Sequence, residues 1–199
     1  MDNKGSSEIK TTQTCRIIPL KNIGRESHTY LHHIIENYDN LPEHVLFFQG
    51  RPHDHVSQDF IKQINSDTTH TEFHNFSEHT LTIKYDIKTN KLKEEGYVQQ
   101  GTRYTHLWHW VNYHELDCSL VKVMRKIFSE PMEVQEFDVE FVPGANFGIS
   151  RRNIIKKPKT FYTNCIEVLQ NSSNLINPDE GHAFERLWKY IFVDSTCSF

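Results

Sequence analysis

The chain has 199 residues, of which 37% are hydrophobic and 24% are charged, a composition typical of a soluble globular protein with one substantial core. Its 22 Lys and Arg residues against 26 Asp and Glu residues give a formal net charge of −4. This charge excludes the general electrostatic attraction that draws basic proteins to nucleic acid or anionic lipid. No stretch is long and apolar enough to predict a membrane span.

The amino-terminal segment MDNKGSSEIKTTQTC has no apolar core of the kind that a secretory signal requires, which favours a cytoplasmic location. The four cysteines are widely spaced and form no CxxC pair, so they predict free thiols rather than a zinc or redox motif. We expect residues 1–14 to be a polar, flexible terminus, residues 15–193 to form a single α/β domain, and residues 194–199 to be a tail.

The first elements in chain order are a short strand at residues 15–18, a turn at NIGRE and an amphipathic helix. The helix is indicated by apolar residues that recur at steps of three and four, namely Tyr30, Leu31, Ile34, Ile35 and Tyr38. Asp39, Asn40 and Pro42 then supply turn signals. The apolar run at residues 45–48 predicts a central strand, which Gly50 ends.

The remaining elements predict an α/β layered fold, because strand and helix patterns alternate along the chain. In order, we expect a short helix at residues 56–64, a loop at 65–79, a half-exposed strand at 81–85, a solvent turn at KTNKLKEEG, a helix at 115–128, a strand at 137–142, a turn at Pro143 and Gly144, a short strand at 146–150, a helix that begins at Pro158, and a last helix at 179–193.

Polar residues follow the central strand directly. Arg51, His53, Asp54 and His55 come after the break at Gly50. In open α/β sheets, ligands collect beyond the carboxyl ends of the strands. The position of these residues therefore indicates a ligand-binding site.

Three segments resemble the signature blocks of an uncharacterised glycosyltransferase-like family of the GT-A type: NIGRESHTYLHHIIENYDNLPEHVLFFQGRPHDH, FVPGANFGISRRNIIKKP and GHAFERLWKYIF. The resemblance covers about residues 15–193 and implies a GT-A-like, Rossmann-like mixed sheet flanked by helices. A complete GT-A domain begins with a nucleotide-binding strand and helix, whereas only the polar residues 1–14, which begin with MDNKG, precede the first predicted strand here. The resemblance thus implies a sheet that lacks this strand, with either an incomplete donor pocket or a pocket completed by a partner chain or an absent segment.

The implied activity is the transfer of a sugar from a nucleotide-sugar donor to a glycan or glycoconjugate acceptor. In GT-A enzymes an Asp-x-Asp motif holds a divalent metal, Mn²⁺ or Mg²⁺, which binds the diphosphate of the donor. The corresponding residues here are His53, Asp54 and His55, with a single carboxylate. Such a set can ligate Mn²⁺ or Zn²⁺, while Mg²⁺ prefers oxygen. Two alternatives stay open: the histidines bind phosphate without a metal, or the segment is a hydrogen-bonded strand end.

On the donor side, Asn22, Gly24 and Arg25 resemble the turn that lies beside the nucleotide in related transferases, and Arg51 lies beside the metal motif. Gly24 can adopt a positive φ, Asn22 can cap the helix, and Arg25 can pair with a phosphate at the helix amino end. The alternative is an internal salt bridge from Arg25 to Glu26 or Asp54.

On the acceptor side, Gly144, Ala145 and Asn146 resemble a small-residue segment that lets an acceptor sugar lie close to the backbone. The alternative is a tight hairpin that binds nothing. Trp108 could stack on a sugar, although aromatic residues more often belong to a core.

An inverting transferase needs a carboxylate that deprotonates the acceptor hydroxyl, and related enzymes supply it from the start of such a helix. Glu185 is the first candidate, followed by Asp179 and Glu180. A buried structural contact between Glu185 and Arg186 is the competing interpretation.

Two other classes of function remain. A metal-dependent hydrolase could use His28 and His32, spaced i and i+4, with His53 or His55, although the sequence has no HExxH motif. A non-catalytic carbohydrate-binding or assembly protein would keep the same fold without a working metal site or base.

Overall fold

The structure is a computed structural model that describes residues 17–50, 52, 56, 59, 72–76, 81–86, 91–94, 120–128 and 136–193. Within these ranges the helices are α1 (Arg25–Asn37), α2 (Leu120–Phe128), α3 (Arg151–Ile154), α4 (Lys159–Gln170) and α5 (Asp179–Phe192). The strands are β1 (His44–Phe47), β2 (Phe73–Asn75), β3 (Leu81–Asp86), β4 (Lys91–Glu94), β5 (Glu136–Phe141) and β6 (Phe147–Ser150).

The amphipathic pattern after the NIGRE turn forms α1, as the sequence predicts. Tyr30, Leu31 and Ile34 are buried along one stripe of this helix. The helix continues into a 3₁₀ turn at Tyr38–Asn40, where the chain bends toward β1. The apolar stripe therefore fixes which face of α1 packs on the sheet.

One sheet has the strand order β1-β6-β2, and both of its pairs are antiparallel. Ile149 in the central strand lies opposite Val45 on one side and Phe73 on the other. Because side chains alternate along a strand, Val45 and Phe47 point into the core while Leu46 is 40% exposed. The predicted strand at residues 45–48 is confirmed with a shift of one residue, but β1 is an edge strand of the described sheet and not the predicted central strand.

A second sheet has the order β4-β3-β5 and corrects two predictions. The segment KTNKLKEEG, predicted as a solvent turn, contains β4, which pairs with β3. Residues 73–75, predicted as loop, form β2 against β6. Both strands are short and lack apolar alternation, so their pairing comes from neighbouring strands rather than from a local pattern.

Two local predictions also differ from the structure. Residues 17 and 18 adopt no strand, and Ile17 is 49% exposed. The turn at Pro143 and Gly144 does not close a hairpin, because β5 pairs with β3 while β6 pairs with β1 and β2. This turn instead carries the chain from one sheet to the other.

The hydrophobic core lies between the first sheet and the helices. Trp188 and Phe192 of α5 stack with ring centroids 5.7 Å apart, and Phe147 of β6 lies 5.6 Å from Trp188. Buried residues of α1, α2 and α4, including Leu31, Val123 and Leu169, complete the cluster. The aromatic residues of α5, Phe184, Trp188 and Phe192, are therefore part of the core.

The α/β class is confirmed by these layers of helix and sheet. A mixed sheet requires at least one parallel pair, and the strand pairs in the described ranges are antiparallel. Among the described helices, none has the length and apolar character that crossing a bilayer requires.

Candidate functional site

The structure brings together three segments that lie far apart in the sequence: the start of α1, the turn before β6 and the first half of α5. Arg25 Nη1 lies 2.8 Å from His182 Nε2. The backbone N–H of Gly144 donates to Glu185 Oε1 over 2.6 Å. These segments are the cores of the three blocks that carry the family resemblance, and they form one polar cluster beside the carboxyl end of β1.

The start of α1 requires glycine at residue 24. Gly24 has φ +65°, and a Cβ there would lie 2.7 Å from the Cβ of His28 and 3.3 Å from that of Leu169. Its N–H donates to the carbonyl oxygen of Leu175 over 2.7 Å, which ties the helix start to the loop before α5. Asn22 is exposed and the helix has no side-chain cap in the described residues, so the predicted capping role of Asn22 is wrong.

Arg25 is held by three side chains. Its Nε lies 3.5 Å from Glu26 Oε2, and its Nη1 donates to Asn177 Oδ1 over 3.1 Å as well as to His182. A guanidinium only donates, so the His182 ring accepts in this contact, and Nη1 also lies 3.3 Å from His182 Nδ1. The Arg25–Glu26 pair agrees with the internal salt bridge, yet the Arg25 side chain remains 28% exposed and can reach a ligand.

The turn before β6 is strained and held from two sides. Gly144 has φ +91° and Ala145 has φ +49°, a region that costs a non-glycine residue about 1 to 3 kcal/mol. Glu185 fixes the Gly144 N–H, and the hydroxyl of Tyr30 donates to the carbonyl oxygen of Ala145 over 3.1 Å. Burial, followed by the charges of Glu26 and Glu185, raises the pKa of Tyr30 well above its ordinary value, so Tyr30 stays a donor.

Asn146 connects this turn to the carboxyl end of β1. Its Oδ1 accepts from the N–H of Gln49 over 3.0 Å, and its carbonyl oxygen accepts from the N–H of Phe76 over 3.0 Å. The side chain is fully buried, and its Nδ2 has no acceptor among the residues that the structure describes. The Asn146 side chain thus ties the turn before β6 to the chain just after β1.

The candidate bases on α5 do not lie together. Glu185 is 4% exposed and bonded to the Gly144 backbone. Asp179 and Glu180 occupy the first turn of the helix, five to six residues earlier, which is about 8 to 9 Å along the helix axis. The structure therefore associates Glu185 alone with the turn at Gly144.

Sequence analysis missed His182 as a member of the site and considered Arg186 only as a structural partner of Glu185. Arg186 is 2% exposed, and its Nη1 donates to the carbonyl oxygen of His182 over 2.7 Å. The i, i+4 spacing of these two residues on a predicted helix is the signal that could have placed them on one face.

Several predicted site residues, Arg51, His53, Asp54, His55 and Trp108, lie outside the described residues. Where side chains are described, no group of three or more His, Cys, Asp or Glu residues could hold a metal ion. His28 and His32 stack with ring centroids 6.3 Å apart, and His28 is buried. The metal site stays a prediction.

Two basic residues that follow β6, Arg151 and Arg152, lie away from the polar cluster. Arg151 and Arg152 are exposed on α3 and line an open cleft of about 610 Å³ with Glu43, His44 and Glu72. This cleft lies at the Ser150 end of β6, opposite the end that carries Gly144 and Asn146.

The family described as "Protein of unknown function (DUF3431)" matches residues 7–198, nearly the whole chain. The protein belongs to the DUF3431 family. Searches of the curated proteins and of the solved structures returned no match. The DUF3431 match spans all three converging segments.

Proposed function

We propose that this DUF3431 protein is a glycosyltransferase that moves a sugar from a nucleotide-sugar donor to a glycan or glycoconjugate acceptor. The observation that carries the proposal is the convergence of the three resemblance blocks on one polar cluster through the contacts of Arg25, Gly144 and Glu185. A functional site would explain why polar groups from three distant segments meet, largely buried, at one edge of the first sheet.

In this proposal the donor lies at the start of α1, where Arg25 and the helix amino end favour a phosphate. A Mn²⁺ or Mg²⁺ ion would be held by His53, Asp54 and His55, with Arg51 beside it. The acceptor lies against Gly144, Ala145 and Asn146, with Trp108 as a stacking surface. A GT-A-like fold is part of the same proposal.

Glu185 is the proposed base, and its contact with Gly144 limits how it can act. One carboxylate oxygen already accepts from the Gly144 N–H, so the other oxygen must take the acceptor proton. Glu185 is hydrogen-bonded to the Gly144 backbone and is only 4% exposed. Both observations favour the second candidate function, a non-catalytic carbohydrate-binding or assembly protein in which Glu185 only holds the turn.

Titration calorimetry with uridine, guanosine and thymidine diphosphates, each with and without Mn²⁺, tests the proposal. We expect one nucleotide to bind, and to bind more tightly with Mn²⁺. Absence of binding to all three would reject the transferase and favour the non-catalytic protein. The hydrolase alternative predicts stoichiometric zinc in the purified protein, and metal-free protein would reject it.

A further inference from the structure

The amino ends of α1 and α5 lie side by side. The hydroxyl of Ser27 donates to the carbonyl oxygen of Gly181 over 3.4 Å, and a Cβ on Gly181 would lie 3.1 Å from the Cδ of Arg25. Neither helix has a side-chain hydrogen bond at its N-cap, Gly24 or Pro178, in the described part of the chain. A helix amino end carries about half a positive charge, and the two ends that meet here also carry the acidic residues of their first turns, Glu26, Asp179 and Glu180.

The side chain of Arg186 points toward this meeting point. Helical side chains lean toward the amino end, and Arg186 Nη1 reaches back one turn to the carbonyl oxygen of His182. Its guanidinium lies over the ring of Phe141, with Cζ 4.9 Å from the centroid. Arg186 is only 2% exposed, and its Nε has no acceptor among the described residues.

A buried guanidinium without a hydrogen-bonded anion is unfavourable. Glu185, the carboxylate whose charge acts on Arg186, already accepts from the Gly144 N–H, and Glu26 of α1 pairs with Arg25. Burial lowers the pKa of Arg186 from its ordinary value, the charge of Glu185 opposes this shift, and the charge of Arg25 adds to it. The guanidinium groups of Arg25 and Arg186 both contact His182, one at its ring and the other at its carbonyl oxygen. An anion bound between them would relieve their repulsion.

We propose that Arg186, with Arg25 and the paired amino ends of α1 and α5, binds a phosphate oxyanion that enters from the exposed side of Arg25. The planar fork of a guanidinium matches phosphate oxygens, and backbone N–H groups at helix ends are donors of the same kind. This inference rests on the proposed function for the identity of the ligand, the diphosphate of the nucleotide donor.

Calorimetry with inorganic pyrophosphate and, separately, with uridine diphosphate tests this site in the full chain. We expect Arg186→Gln to weaken pyrophosphate binding about 10- to 100-fold, as expected for the loss of a charge-assisted hydrogen bond. Lys189→Gln is the matched control, because it removes the same charge from the same helix at an exposed residue paired with Glu140. It should leave the affinity unchanged within about twofold.

Unchanged pyrophosphate affinity in Arg186→Gln, or binding of uridine diphosphate but not pyrophosphate by the wild-type protein, would overturn the site and leave the transferase proposal standing. Pyrophosphate binding lost in Arg186→Gln, without turnover of any nucleotide sugar, would support the site and reject the transferase. If neither ligand binds the wild-type protein, the site is rejected, and the transferase is rejected with it when guanosine and thymidine diphosphates do not bind either. Should Arg186→Gln not fold, Arg186→Lys decides: it keeps the charge but not the fork, and wild-type affinity in this variant would reject the site.

Discussion

At the scale of single residues, the buried polar groups of the cluster are arranged by backbone contacts rather than by charge pairs alone. Glu185 bonds to the Gly144 N–H, Tyr30 to the Ala145 carbonyl oxygen, and Arg186 to the His182 carbonyl oxygen. Each side chain thereby fixes a backbone segment from another part of the chain. A substitution here changes the shape of the site as well as its chemistry.

A pair of variants distinguishes the two roles of Glu185, its structural contact with Gly144 and its proposed role as the base. Glu185→Gln keeps an oxygen for the Gly144 N–H, so we expect the protein to fold and to bind the donor, but to lose turnover if Glu185 is the base. Glu185→Ala leaves that N–H unpaired and should lower the free energy of unfolding by about 1 to 3 kcal/mol. Urea unfolding measures the free energy of unfolding, calorimetry measures the donor affinity, and a sugar-transfer assay measures turnover.

Glu167→Gln, at an exposed residue of α4, is the control for the loss of a carboxylate and should change neither quantity. Unfolding of Glu185→Gln would show that the residue is structural. Retained turnover in Glu185→Gln would remove Glu185 as the base.

At the scale of elements, the position of α1 depends on close approach at its first residues. Gly24 lies against Leu169 of α4 and donates to Leu175, while Ser27 contacts Gly181 of α5. The amino end of α1 therefore packs against both α4 and α5, and it has no room for a side chain at residue 24.

Gly24→Ala should strongly destabilise the protein, because its φ is +65° and the new Cβ would lie 2.7 Å from the Cβ of His28. We expect a loss of about 1 to 3 kcal/mol from the backbone conformation alone. Gly50→Ala is the matched control, since a Cβ there meets nothing within 4 Å. Equal denaturation midpoints for the two variants would contradict the packing described here.

At the scale of the whole molecule, the core buries three groups that lose a proton only at high pH. Burial raises the pKa of Cys165, Tyr162 and Tyr30 above their ordinary values of 9.0 for the thiol and 10.0 for the phenols. Tyr162 also donates to the carbonyl oxygen of Ile154 over 2.7 Å, so its proton is part of the core packing.

The stability of the protein should therefore fall as the pH rises above about 9. There the unfolded chain releases these protons while the folded chain keeps them, so the folded state binds more protons and the free energy of unfolding decreases. Below pH 8 these groups are protonated in both the folded and the unfolded chain, so the free energy of unfolding does not decrease through them. Urea unfolding at pH 7, 8, 9 and 10 measures the decline, and Tyr162→Phe, which removes one titrating group, should make it shallower. A constant free energy of unfolding up to pH 10 would contradict this account.

The sequence by itself determined the elements whose signals are local. The apolar stripes of α1 and α5 and the apolar run of β1 are confirmed nearly to the residue, because burial of one helix face or strand side imposes a period on the sequence. The same holds for α4, which begins directly after Pro158 as predicted.

Only the tertiary structure decided the pairing and the site. The strands β2 and β4 are specified by their partners, and the turn at Gly144 joins two sheets because β6 pairs with β1 and β2 rather than with β5. The roles of His182 and Arg186 likewise depend on α5 lying beside α1. The contact between Arg25 and His182 joins residues 157 positions apart, and a local pattern carries no information about which distant segment completes it.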